Sequence, residues 1–285
     1  MGDKKDSKVI SVGSIKHGQG MTCFTFNLAY KLSTLLDKKI LIIDTNFLFK
    51  EIAYMAEQNN KNGIDDLISM VKTQELSQEI FMLHTEEINK HLRVINSTQI
   101  DTLDYIKKND KYIIKIIEEA KKYFDIIIID AAAGTSKNSL IKQIYEISDL
   151  FINMLTQNAY IIDWYSRHSE YKDEKVINVI NMYEDDVYPD YGDIKKEFKL
   201  DDFVSVRYSK LFKNFYNQKI LDPFYKTEDL FNNDFSQLIM KVAEKLNIVE
   251  LKKMDIVNTN MLIDVKYSQK EKKGIFARLF GSKKM

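Results

Sequence analysis

Asp125-Ile-Ile-Ile-Ile-Asp130 constrains this chain more than any other stretch: four consecutive β-branched residues lie between two aspartates. With no polar residue alternating inside it, the run has no face suited to water. It reads as a strand buried on both sides, which requires a sheet covered above and below. Other short apolar runs repeat the theme at Lys8-Val-Ile-Ser-Val-Gly13, Lys39-Ile-Leu-Ile-Ile-Asp44, Leu92–Asn96, Leu150–Leu155, Val176–Asn181 and Phe203–Val206. Between them fall helical periodicities at Phe24–Leu36, Tyr105–Tyr123 and Ser136–Ile147, with a last one around Phe235–Leu246. Strands alternating with helices predict an α/β fold, a mostly parallel sheet covered by helices. Ligands of such sheets bind beyond the carboxyl ends of the strands, so the residues just after each strand carry the functional information.

Composition narrows the classes. The 285 residues are 45% hydrophobic with only two prolines and nine glycines, which excludes disordered and collagen-like chains. The 42 basic and 42 acidic side chains cancel, so the surface as a whole is not built for nucleic acid, although a local basic patch is compatible with this balance. A single cysteine, Cys23, excludes an intramolecular disulfide framework and a cysteine-based zinc cluster. His17, His84, His91 and His168 show no metal-ligand spacing. No apolar run reaches the roughly 20 residues that span a bilayer. The charged start, Met1–Lys8, leads into a strand and does not read as a signal peptide. Tyr183–Asp202 is rich in acidic residues and reads as a solvated excursion. A weaker edge segment is expected near Asp255–Val265. Tyr160, Trp164 and Tyr165 read as core in preference to a partner surface, and Cys23 as a small buried residue.

After the first strand comes Gly13-Ser-Ile-Lys16-His17-Gly18-Gln19-Gly20-Met21-Thr22, followed by a helix. A glycine-bearing loop between strand and helix lets backbone N–H groups wrap a phosphate at the helix N-terminus. The segment Lys16–Thr22 resembles the deviant Walker A loop, KGGxGK[S/T], of the MinD/ParA family of P-loop ATPases. Lys16, Gly18, Gly20 and Thr22 match. His17 replaces a glycine, and Met21 replaces the lysine that contacts the β- and γ-phosphates.

The resemblance continues at the other strand ends. Asp44-Thr45-Asn46 is similar to the family's DxD segment, with Asn46 where the water-positioning aspartate stands. Asp130-Ala-Ala-Ala-Gly134 resembles the Walker B region DxPxG, with Ala132 at the proline. Asn181 falls where an adenine-reading side chain is often found, and Val204-Ser-Val-Arg207-Tyr208 resembles the late strand that usually ends in Ile-Pro. Glu271–Gly281 is similar to the membrane-targeting helix of the MinD branch. In a helix begun near Lys272, Ile275, Phe276, Leu279 and Phe280 gather on one side, flanked by Lys272, Lys273 and Arg278.

The resemblance implies a MinD/ParA-like P-loop domain over residues 1–265 and a basic amphipathic tail over 266–285. Its cofactor would be ATP or ADP with Mg²⁺, held by Lys16–Thr22 and Asn181, with Thr22 and Asp130 supporting the metal. The partners implied are anionic lipid on the inner face of the cell membrane, a second copy of the chain, and a protein of division, pilus or secretion machinery, with DNA the weaker expectation. Met21 cannot neutralise phosphate oxygens and Asn46 cannot accept a proton, so binding should be weakened and hydrolysis slight or absent. The expected protein is a cytoplasmic, membrane-peripheral spatial regulator or scaffold. Two alternatives stay open: an active ATPase cycling on and off the membrane with Lys16 substituting for the absent lysine, and a ParA-like DNA-partitioning protein.

Overall fold

A computed structural model describes residues 6–46, 51–56, 63–96, 103–134, 139–168 and 173–248. Eight strands form one sheet: β1 (Lys8–Ser14), β2 (Ile40–Asp44), β3 (Glu86–Asn89), β4 (Leu92–Ile95), β5 (Ile126–Ala133), β6 (Leu150–Thr156), β7 (Val176–Tyr183) and β8 (Phe203–Arg207). Their spatial order is β3-β4-β2-β5-β1-β6-β7-β8, and every neighbouring pair is parallel except β3 with β4. The isoleucine run of the sequence is β5, at the centre, with β2 on one side and β1 on the other.

Period-two alternation divides the core. Ile126 and Ile128 of β5, Ile40 and Ile42 of β2, and Ile10 and Val12 of β1 face one layer. Ile127, Ile129, Leu41, Ile43 and Val9 face the other. The first layer is closed by α1 (Met21–Leu35) and α11 (Leu230–Leu246), which contribute Phe24, Leu28, Leu32, Phe235, Leu238 and Val242. The second is closed by α3 (Ile64–Thr73), α5 (Leu103–Ala120) and α6 (Ser139–Ile147). In α5 the buried residues Ile113, Ile116, Ile117 and Ala120 have the i, i+3, i+4, i+7 spacing of a helix laid on a sheet. Asp229 caps α11 by accepting from the Phe231 N–H, and Asn247 ends it in the left-handed conformation. Shorter helices complete the described residues: α2 (Glu51–Met55), α4 (Gln78–Leu83), α7 (Ala159–Arg167), α8 (Tyr191–Lys196), α9 (Lys210–Asn217) and α10 (Leu221–Phe224).

The acidic excursion is more ordered than a solvated loop. Asp190 and Asp193 form a reciprocal capping box that starts α8, and Ile194 and Leu200 are buried beneath it. Gln157 holds the preceding turn, donating to the carbonyls of Glu184, Val187 and Pro189 and accepting from the Glu184 N–H. The acidic side chains do face water, while the backbone packs against the sheet edge. Tyr165 is core, as the sequence suggests; Tyr160 is exposed, and the half-buried Trp164 stacks on His168. The segments near Asp255–Val265 and Lys266–Met285 lie outside the described residues.

Candidate functional site: a glycine cradle without its lysine

The loop between β1 and α1 is fixed from both ends. Ser14 Oγ donates to the Lys16 carbonyl at 2.9 Å and accepts from the Lys16 N–H, closing a tight turn. Gly18 and Gly20 have φ of +83° and +78°, the left-handed region that suits glycine. A Cβ on Gly20 would also stand 2.6 Å from Asn181 Nδ2. That amide donates to the Gln19 carbonyl at 3.0 Å, and Thr156 donates to Gln19 Oε1 at 2.8 Å, so the ends of β6 and β7 pin the loop. Gly20 is the N-cap of α1 and supplies no capping side chain. The N–H groups of the first helical turn therefore have no intrahelical partner and no cap, an arrangement suited to an anion.

Beside this loop opens a cleft of about 570 Å³. His17–Phe24 form one wall, with Asn46 and Asn181 alongside. The opposite wall comes from Arg207–Ser209 and from α9, through Phe212, Lys213 and Tyr216. Lys16 is exposed at the loop and is not among the lining residues. Met21 lines the cleft yet is only 8% exposed, joined to the apolar layer of Phe24, Phe26 and Leu28. Its thioether fills space at the position where the resembling family carries a phosphate-binding lysine.

Asp44, the last residue of β2, pairs in direct register with Asp130 in the middle of β5, and both are buried. Burial raises the Asp44 carboxyl well above its ordinary range, and the Asp130 charge raises it further; the Asn46 N–H, donating at 2.8 Å, acts the other way. Thr45 ties the two strands by donating to the Asp130 carbonyl. Among the described residues, no group of three or more His, Cys, Asp or Glu is arranged to hold a metal ion.

The residues present fit a nucleotide in part. The cradle, the uncapped helix start and Thr22 suit phosphate; the buried carboxylates of Asp44 and Asp130 are not among the residues that line the cleft. The cation that would meet the terminal phosphates is missing at position 21. Arg207, at the expected proline, does not supply it. Its guanidinium donates to buried Asp234 at 2.8 Å and to Asp185 at 3.0 Å. Burial raises the Asp234 carboxyl, with Arg207 opposing that shift.

Sequence reasoning did not find the polar contacts around Asn27 and Glu51 at the cleft. Asn27 is fully buried on α1, with Oδ1 accepting from the Tyr225 hydroxyl. Tyr216 of α9 donates to Glu51 Oε1 of α2 at 3.0 Å. Cys23, expected to be buried, is half-buried; desolvation pushes its thiol up, and the nearby Glu51 carboxylate pushes it further. These contacts join residues far apart in the chain, and no local pattern announces them.

A glycine cradle between a central strand and a helix, at the carboxyl edge of a parallel sheet, defines a P-loop protein. The family model for an AAA domain matches residues 7–167, and the chain belongs to that family. No curated protein matches the sequence. Solved structures share the fold. A ParA family ATPase from Chlorobium tepidum superposes with a TM-score of 0.65 at 16% identity, covering 80% of this chain and 96% of that one. The septum site-determining protein MinD of Pyrococcus horikoshii, complexed with Mg-ADP, gives 0.63 at 15%, covering 84% and 98%. A Cyanothece McdA–ATP complex gives 0.63 at 17%, covering 85% and 97%. The mostly parallel, helix-covered sheet expected from the sequence is thus the fold of the ParA and MinD ATPases.

Proposed function

We propose that this chain is a MinD-like spatial regulator with a degenerate ATP site, held at the inner face of the cell membrane by its basic amphipathic tail. The observation that carries the reading is Met21, sealed into the core at the place of the phosphate lysine. Nucleotide, ATP or ADP with Mg²⁺, binds weakly through the Lys16–Thr22 backbone, with Asn181 steadying the loop and Thr22 and Asp130 serving the metal. Turnover is slight because position 21 supplies no cation to the transferred phosphoryl group and Asn46 cannot take up a proton. Self-association through the loop face is correspondingly weak, and the protein acts as a scaffold for division, pilus or secretion machinery. The active-ATPase reading draws its support from Lys16, which is exposed on the loop and free to reach across to a second copy.

The tail supplies the membrane contact. Among the described residues no helix is long and apolar enough to cross a bilayer. Ile275, Phe276, Leu279 and Phe280 would each contribute about 1.5–3 kcal/mol if fully buried in lipid, less the cost of ordering the helix. Lys272, Lys273 and Arg278 meet anionic headgroups. Co-sedimentation with liposomes tests this: acidic vesicles should retain the intact chain and release one ending at Lys270, with Phe276→Glu nearly as damaging. Equal retention of intact and truncated chains removes the membrane assignment.

A further inference from the structure

The excursion between β7 and β8 carries more charge and more exposed apolar surface than a connection needs. Tyr183–Asp202 holds eight acidic side chains against three basic ones. Several serve the fold: Asp190 and Asp193 cap α8, Asp185 pairs with Arg207, and Asp202 pairs with Lys241. Glu184, Asp186 and Asp201 do not. All three are exposed, and their carboxylates meet no donor among the described residues. The same surface bears large apolar groups. Val187, Tyr188 and Tyr191 are exposed within five residues of one another. Tyr160, 74% exposed, stands three residues after Gln157, whose amide grips the Glu184–Pro189 turn. Exposed tyrosines set among unpaired carboxylates suit a partner that is both basic and apolar.

The chain itself carries such a segment. Lys266–Met285 holds seven basic side chains and one acidic, with Ile275, Phe276, Leu279 and Phe280 as the apolar complement. The end of α11 lies where the excursion ends: Lys241 pairs with Asp202, just before β8, and Lys245 donates to the Glu174 carbonyl, just before β7, at 2.7 Å. From there the excursion runs back along about 25 Å of sheet, the length of the eight-residue β7. The roughly 23 residues between Ile248 and Lys272 reach up to about 75 Å when extended, ample for the purpose. A tethered partner needs only weak contacts, because its effective concentration is high. We propose that the acidic, tyrosine-bearing excursion is the docking site of the chain's own basic tail, residues 266–285, and holds it off the membrane until anionic lipid displaces it. Phe276 and Phe280 cannot lie in lipid and against the excursion at once, so the two surfaces compete. The inference rests on the membrane role proposed above for the tail and adds how that role is controlled.

Hydrogen–deuterium exchange of the full chain, read on peptides covering 184–197, tests it. A tail docked for about half to two-thirds of the time slows exchange there about twofold to threefold and weakens apparent lipid affinity by the same factor. The intact chain in low-salt buffer should therefore exchange these amides that much more slowly than a chain ending at Lys270. Vesicles of phosphatidylglycerol and phosphatidylcholine should erase the difference. Sodium chloride at about 0.5 M should remove most of it, since screening then acts within about 4 Å. Val187→Ser with Tyr191→Ser leaves every charge in place, so it cannot alter repulsion between excursion and lipid. It should raise retention of the full chain by a limiting amount of acidic vesicles about twofold to threefold. Equal exchange in the intact and truncated chains overturns the docking, as does unchanged retention of the double variant. Protection that grows with protein concentration also overturns it, because the occupant is then the tail of a second copy. In each of these cases the membrane assignment stands if acidic vesicles still retain the intact chain. Vesicles that do not retain it overturn that assignment, and the competition with lipid falls with it.

Discussion

Replacing Asp44 with asparagine separates two roles that the same carboxylate could have. Asp44 at the end of β2 pairs in register with Asp130 of β5, and both are buried. Strands lie about 4.8 Å apart. Two full charges at about 5 Å with an effective dielectric near 20 repel by about 3 kcal/mol. Burial and this repulsion raise the folded-state pKa of Asp44 above 3.8, its ordinary value. A carboxyl raised in the folded state gives stability that is complete below the unfolded pKa and is lost as pH rises through the folded one. At pH 7.5 the charged form is therefore a liability in the nucleotide-free protein. The substituted amide would keep an oxygen for the Asn46 N–H, which Asp44 now binds at 2.8 Å. Asp44→Asn should stabilise the chain by about 1–3 kcal/mol at neutral pH, a rise of about 2–5 °C in Tm. The gain should shrink towards zero as pH falls to about 4, where both states bind the proton. Thermal melts at pH 7.5 and 4.5, without nucleotide or Mg²⁺, measure both quantities. A lower Tm at pH 7.5 would show that Asp44 answers a cation or hydrogen-bond donor and is not frustrated by Asp130.

Two further outcomes follow from named contacts. Met21→Lys combined with Asn46→Asp should tighten ATP binding in titration calorimetry, since the cradle that surrounds them is formed; no gain would place the fault in the loop, with His17 the first residue to revert to glycine. Arg207→Leu should cost about 2–4 kcal/mol at pH 7 in urea unfolding, towards the lower end because Arg207 is partly exposed, by leaving Asp234 buried and charged without its guanidinium. Asp234 is raised by burial, so that loss should diminish below pH 4 as the carboxyl becomes neutral, and an equal loss at both pH values would contradict the pairing.

The central sheet was legible because buried parallel strands must be apolar on both faces, and β1, β2 and β5 are. Strand β3 was not: Glu86-Glu-Ile-Asn89 is an edge strand paired on one side, with neither an apolar run nor clean alternation. The capping box of α8 is written in the sequence as Asp190 and Asp193, yet the surrounding charge reads as a loop when burial of Ile194 and Leu200 is unknown. At the site, the loop glycines announce themselves because positive φ demands them. Asn27 and Glu51 do not, because each is one polar residue on a helix and only tertiary packing sets both in one cleft.

If the lost charge at position 21 disables the ATPase cycle, as proposed, steady-state ATP turnover with Mg²⁺ shows it. The full chain, with and without acidic liposomes, should hydrolyse ATP at the rate of the buffer blank, and Lys16→Ala should change nothing. Turnover above the blank that Lys16→Ala abolishes would make this chain a working ATPase with its lysine supplied from the loop.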